Sequence, residues 1–334
     1  MFNLLFKKKT YWMDSYPLIR QIRSPVTDDQ LKPLNLKCRV VQFESPLTDR
    51  DHEKLSEFMK NYPKVPLRIY GHYDYWKKGI ENIQFLRYYP FLKQFDLDLY
   101  QLNSLNGIEF LPDNLEYFGL SGARKPLSLS FLSRFKKLKE LSLEGQWKNI
   151  DVLSSLTCIQ RLNLRSTTIK DLSLLIPLKK LWWLTLKLGG TRDLSHLAKM
   201  QSLKYLELWM IRGLEDISPI SYLDNLQYLF LEDLAQVKQL PNFQRCNNLR
   251  KIHIENLKRL IDLSALLTAK QLEEVVIVGD HLKIEDLYPL KKHPTIKKAL
   301  ISLSSIKKNE EVEKIINLPK ADYFHEFKDE FKLK

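Results

Sequence analysis

The feature that most constrains this chain is a hexad, leucine-x-x-leucine-x-leucine, that returns at nearly constant spacing. Its opening apolar residue falls at Leu92, Leu115, Leu138, Ile159, Leu181, Leu203, Leu226, Leu249, Leu272 and Ile296, at intervals of 21 to 24 residues. The fourth and sixth positions are apolar nearly throughout, as in Leu162/Leu164, Leu184/Leu186, Leu206/Leu208, Leu229/Leu231 and Ile252/Ile254. For 334 residues the usual expectation is about two globular domains, but such self-similarity signals a stacked array instead. Apolar residues at positions four and six make a short strand with one face inward. The other half of each repeat carries apolar pairs three apart, such as Leu172/Leu175, Leu194/Leu197, Ile217/Ile220 and Leu263/Leu266. That spacing suits a turn of 3₁₀ or α-helix packed on the strand layer. Asp171, Asp193, Asp216, Asp262 and Asp286 stand just before these pairs, where a carboxylate caps the turn. One repeat cannot cover its own apolar side, whereas stacked repeats share a continuous core.

The hexad and its period resemble the leucine-rich-repeat family, and within it the 22-residue type of the bacterial internalins. The resemblance implies an α/β solenoid: a curved horseshoe with a parallel concave β-sheet, short helical or 3₁₀ convex segments, and caps at both ends. One departure is clear. The ninth position, an asparagine in the family pattern, holds Gln146, Thr167, Gly189, Ile211, Leu234, Leu257 and Asp280 here. The asparagine ladder is absent, so irregular loops are expected after the strands.

Residues 1–35 show no repeat and read as an N-terminal arm punctuated by Pro17, Pro25 and Pro33. Residues 36–91 read as a cap with an irregular first repeat. They hold a strand at Cys38–Phe43, a helix opened by Thr48 and Asp51 and running to about Lys60, and a repeat-like Leu67-Arg68-Ile69. An aromatic loop of Tyr70, His72, Tyr73, Tyr75 and Trp76 follows. Residues 92–303 are the repeats, and 304–334 a helical cap. In that cap Glu310–Asn317 is expected to bury Val312, Ile315 and Ile316, and Phe324, Phe327 and Phe331 share one helical face, expected to pack on the last repeat, with docking of a partner as the alternative.

Positions three, five and seven of each strand point to the concave surface. There Trp183, Tyr205, Trp209, Tyr228 and Phe230 form an aromatic patch over three adjacent strands. Arg161, Arg165 and Lys187 flank it on one side, and Glu207, Glu232 and Glu255 lie within and beyond it. Aromatic and arginine side chains are enriched at binding hot spots, with charges at the rim. The alternatives are that the rings only cover the sheet, or that the N-terminal arm folds over them. Trp182 points nearer the edge. Concave positions hold eight acidic and five basic residues, so the formal net charge of +13 resides elsewhere. Lys136-Lys137, Lys179-Lys180, Lys199, Arg245, Lys270 and Lys291-Lys292 precede strands and gather along one edge. That edge serves solubility and helix dipoles, or docks an acidic partner.

Three widely spaced cysteines, Cys38, Cys158 and Cys246, make neither a disulfide framework nor a zinc pattern. The start places Phe2, Leu5 and Phe6 before Lys7–Lys9, the reverse of a secretory signal, and no run spans a bilayer. A cytoplasmic location is expected. Only 10 glycines, no phosphate loop, no G-x-S-x-G and a His52-Glu53 without a second histidine argue against catalysis or a cofactor. The expected function is non-enzymatic recognition of a protein partner on the concave face, by an adaptor, inhibitor or bacterial immunity-type protein. The alternative is binding of nucleic acid or an acidic partner through the lysine edge, with nucleic acid disfavoured by the acidic face and the lack of a recognised module.

Overall fold

A computed structural model describes residues 18–71, 83–123 and 125–323. Expectations placed on Phe2, Leu5, Phe6 and Lys7–Lys9, on His72, Tyr73, Tyr75 and Trp76, and on Phe324, Phe327 and Phe331 lie outside the described residues. The described strands are parallel wherever their register is defined, and strand order in the sheet is chain order, β1 to β13. The chain divides into two compact units, Met1–Leu141 and Ser142–Lys334.

In the first unit β1 (Ile19–Ile22), β2 (Val40–Phe43) and β3 (Leu67–Gly71) precede β4 (Gln94–Leu102) and β5 (Tyr117–Ala123). Part of the expected arm is therefore a strand of the sheet: Ile19–Ile22 pairs in register with Val40–Phe43. Between β2 and β3 runs α1 (Asp49–Met59), opened by the expected capping box between Thr48 and Asp51. The Asp51 carboxylate also accepts from Ser24 Oγ (2.6 Å) and Val26 N (2.7 Å), tying the N-terminal segment to the helix. β6 (Glu140–Glu144) spans the boundary between the units.

The second unit repeats one design. β7 (Arg161–Arg165), β8 (Trp183–Lys187), β9 (Tyr205–Trp209), β10 (Tyr228–Glu232), β11 (Lys251–Glu255), β12 (Glu274–Val278) and β13 (Lys298–Ser302) alternate with turns that are mostly 3₁₀. Hexad leucines are sealed: Leu181, Leu184, Leu203, Leu206, Leu208, Leu226, Leu229 and Leu231 are all 0% exposed. The second-half pairs are sealed with them, from Leu172/Leu175 to Leu287/Leu290. Each such side chain contributes roughly 1.5–3 kcal/mol by leaving water. Asp171, Asp193, Asp216 and Asp262 accept the backbone N–H two residues on, from Ser173 (2.7 Å), Ser195 (2.9 Å), Ser218 (2.8 Å) and Ser264 (2.8 Å). Asp286 departs from this pattern. Its carboxylate accepts from Lys283 N (2.8 Å) behind it, because there the 3₁₀ turn runs on into a short helix, α2 (Tyr288–Lys291). The C-terminal helix α3 (Ile306–Ile316) begins earlier than expected, since Ser305 caps it by accepting from Lys308 N. Only Val312 of its three expected core residues is buried; Ile315 and Ile316 are partly exposed.

The missing asparagine ladder is replaced by a backbone device at position eight. Ser166, Leu188, Met210, Asp233 and Asn256 all adopt left-handed φ, between 49° and 56°. From there their N–H groups donate to the seventh carbonyl of the next strand: Ser166 to Lys187 (2.7 Å), Leu188 to Trp209 (2.9 Å), Met210 to Glu232 (2.9 Å). The loops are thus regular, at the cost of a conformation that L-residues disfavour by about 1–2 kcal/mol. Met210 is 45% exposed and packs little, so its side chain offsets little of that strain. Met210→Gly is expected to raise stability by roughly 0.5–1 kcal/mol in urea unfolding, after allowing for glycine's greater unfolded-state entropy; a variant less stable than the parent would contradict this origin of the turn.

Candidate recognition face

Parallel register puts the residues at hexad position three, the first of each of β7 to β11, in one line: Arg161, Trp183, Tyr205, Tyr228 and Lys251. They point away from the leucine layer, and they touch in sequence. The Arg161 guanidinium lies 5.4 Å from the Trp183 ring centre, and Trp183 stacks on Tyr205 at 3.3 Å and 6°. Tyr205 meets Tyr228 edge-on at 5.1 Å, and the Lys251 ammonium stands 5.3 Å from the Tyr228 ring. Lys251 is 3% exposed, and its charge is met by Glu274 at 3.3 Å. A cation thus terminates each end of a stack of rings, where the negative faces of the aromatics attract it.

The fifth and seventh residues fill in beside this line. Trp183 Nε1 donates to Thr185 Oγ1 (3.1 Å), and Tyr205 OH donates to Glu207 (2.9 Å), which also pairs with Lys187 (2.8 Å). Trp209 carries Arg165 and Lys187 at 5.6 and 5.5 Å from its ring, while its own Nε1 donates to Asp233 (3.3 Å). Phe230 packs on His253 at 4.4 Å, and His253 Nε2 is 3.0 Å from Glu255. Burial and the neighbouring charges of Glu255, Asp233 and Glu207 push the Glu232 carboxyl up to about 8.

All eleven residues expected to form the site therefore share one sheet face, on which Tyr205, Tyr228 and Phe230 pack as one cluster with Trp183 against it. Their exposure differs from the expectation. Tyr205, Tyr228 and Phe230 are only 2–5% exposed, and Glu207 8%, whereas Trp183 and Trp209 stay partly open. At β11 a later segment of the chain reaches this face: Tyr323 OH donates to Glu255 (3.0 Å). Sequence spacing says which side a residue faces and is silent on what later folds over it.

Two features lie outside that expectation. At the edge where strands begin, Lys179, Lys180, Lys204 and Trp182 line a shallow cleft of about 550 Å³ whose other walls are uncharged. In the first unit Arg68 pairs with Asp98 and lies 3.8 Å from Asp96. Burial pushes the Asp96 carboxyl up to about 6 against the pull of Arg68. Gly119 makes room for this cluster, since a Cβ there would lie 2.3 Å from an Asp96 oxygen. The only signal in the sequence was the bare i, i+2 pair Asp96/Asp98. Ligand atoms of Asp171, Asp193 and His196 lie within 4.8 Å of one another, but both carboxylates are engaged in capping their turns.

No family model matches the chain, and neither does any curated protein. Solved structures do. An internalin (InlF) from Listeria monocytogenes aligns with a TM-score of 0.50 and 18% identity, covering 80% of this chain and 89% of that one. The TLR13 chain of a TLR13–ssRNA13 complex aligns with a TM-score of 0.55 and 17% identity over 85% of this chain, which spans 47% of TLR13. The fold is that of a leucine-rich-repeat protein. On that fold the face built from β7 to β11 is the concave surface, and the 3₁₀ turns are its convex layer.

The charge on the concave face is testable by titration. A carboxyl raised from 4.5 to about 8 on folding contributes stability that is complete below pH 4.5 and lost as pH rises through 8. Glu232→Gln should leave stability near pH 5 almost unchanged and make the protein more stable than the parent at pH 8.5. Parallel melting curves for parent and variant across that range would place the raised carboxyl elsewhere.

Proposed function

We propose that this protein is a non-enzymatic binding module that takes a protein partner on its concave face. The observation that carries the reading is the continuous stack from Arg161 through Trp183, Tyr205 and Tyr228 to Lys251, rigidified before any partner arrives. Pre-organised aromatic and arginine side chains lose little freedom on binding, which is why such residues dominate interface energetics. Trp183 and Trp209 are partly open, with Arg161 and Arg165 against their rings. His253 and Glu255 are close enough for proton exchange, yet His253 is 1% exposed, which argues for a binding role over a catalytic one. Unpaired Cys38, Cys158 and Cys246 fit a reducing cytoplasm, and burial pushes the Cys246 thiol up to about 12, into the unreactive range. An adaptor, inhibitor or immunity-type role suits such a module.

Purification from the native source should recover one protein partner. Trp209→Ala, which removes a partly exposed ring, should weaken that complex at least tenfold while the melting temperature stays near the parent's. Undiminished affinity in a folded Trp209→Ala protein would remove the concave face from consideration. The cleft at the strand-start edge supports a second reading, in which an acidic protein segment docks against Lys179, Lys180 and Lys204. That reading requires Lys179→Glu with Lys180→Glu, rather than Trp209→Ala, to abolish binding, and affinity to fall steeply with salt.

A further inference from the structure

The sheet ends at β13, but the chain continues and comes back over it. Asn317 closes α3 in the left-handed region, at φ 45°, and reverses the chain. Lys320 then forms a parallel bridge with Ala299, through Ala299 N to Pro319 O (2.9 Å) and Ala321 N to Ala299 O (3.1 Å). Beyond this contact the chain turns onto the concave face. Asp322 O accepts from Lys251 Nζ (3.4 Å), and Tyr323 OH lies 3.0 Å from both oxygens of Glu255. The Tyr323 ring packs 5.5 Å from His253. In three residues the chain has moved from the β13 edge to β11, where Lys251 and His253 are sealed at 3% and 1% exposure.

These contacts differ from those of a cap. A cap shields the apolar edge of the last repeat, and residues 319–321 with α3 already meet β13. Asp322 and Tyr323 instead engage Lys251 and Glu255, the first and last residues of β11, and Lys251 continues the aromatic row of β8 to β10. The next strand over presents Tyr228 and Phe230, each 5% exposed. Phe324, Phe327, Phe331, Lys328, Lys332 and Lys334 follow in the sequence, outside the described residues; their aromatic and basic composition is complementary to a face of rings that carries Glu207, Glu232 and Glu255.

We propose that the C-terminal segment from Pro319 onward is an intramolecular ligand of the concave face, anchored on β11 by Asp322 and Tyr323 and competing there with a partner. The proposal rests on the reading of this face as a binding surface, and it adds both the regulation and the ligand chemistry. The surface takes an aromatic segment whose phenol meets Glu255 and whose main-chain carbonyl meets Lys251. A partner gains access by offering the same chemistry at higher affinity, because the polar anchor of the chain's own segment is a few exchangeable hydrogen bonds.

The test uses the full chain and a fluorescein-labelled peptide of residues 318–334. One variant carries Tyr323→Ala, Phe324→Ser, Phe327→Ser and Phe331→Ser, so that its own segment no longer competes. The labelled peptide is expected to bind this variant at least tenfold more tightly than it binds the parent, in which the site is filled in cis. Adding Glu255→Gln and Lys251→Ala to the variant should remove the gain. Equal binding to variant and parent, or no binding to the folded variant, would overturn the proposal. So would a collapse of the variant's melting temperature, which would make the segment a structural cap. No partner protein enters this measurement, so its outcome is independent of whether the partner is found.

Discussion

Everything in the second unit depends on the burial of three leucine-type side chains per strand against the copies before and after. Leu181, Leu184 and Leu186 cannot be sealed on both sides by the apolar residues of one repeat, which are too few. They reach 0–2% exposure only because their counterparts on neighbouring strands stack on them. This forces the strands into parallel register, one residue beside its equivalent, over all of β7 to β13. Register in turn dictates that whatever occupies position three of one strand stands beside position three of the next. The aromatic row is therefore a by-product of the core: once the leucines are in line, Trp183, Tyr205 and Tyr228 must be too.

The same constraint explains how the fold persists without its asparagines. An asparagine at position nine would bind the loop backbone with its side chain. Here Ile211, Leu234 and Leu257 occupy that position and extend the apolar core, while position eight turns left-handed so that its N–H reaches the next strand. Thr167 keeps a trace of the polar solution, donating to Gly145 O at 2.6 Å. Loop order is thus secured by hydrophobic burial plus backbone bonds, and it is local strain rather than a side-chain ladder that the core offsets.

The period, the capping box at Thr48 and the capping aspartates were legible because each is a local pattern with one physical solution. So was the side of the sheet on which Trp183, Tyr205, Trp209, Tyr228 and Phe230 stand. Their degree of burial was not, because alternation says which face a residue takes and not how tightly its neighbours pack; contacts on that face such as Tyr323 to Glu255, 68 residues apart in the chain, follow no periodicity. Of the cleft around Trp182, only the edge lysines Lys179 and Lys180 and the edge position of Trp182 were legible; its other walls, Gln160, Gln201, Ser202, Lys204 and Asn225, are unlike residues of successive repeats. α3 was placed too late because the charged run after Ser305 hides its start, although Ser305 is an ordinary N-cap.

β8 divides its labour: its leucines hold the fold, and its outward residues form a surface added to it. Urea unfolding of Leu184→Ala and Trp183→Ala measures that division directly. Leu184→Ala leaves a cavity in a sealed core and is expected to cost about 2–5 kcal/mol. Trp183→Ala gives up the stack on Tyr205, the Arg161 contact and the hydrogen bond to Thr185, all at a partly open position, and is expected to cost less than half as much. If the larger tryptophan proves the more costly loss, the aromatic row is a second core rather than a surface, and the account of this face is wrong.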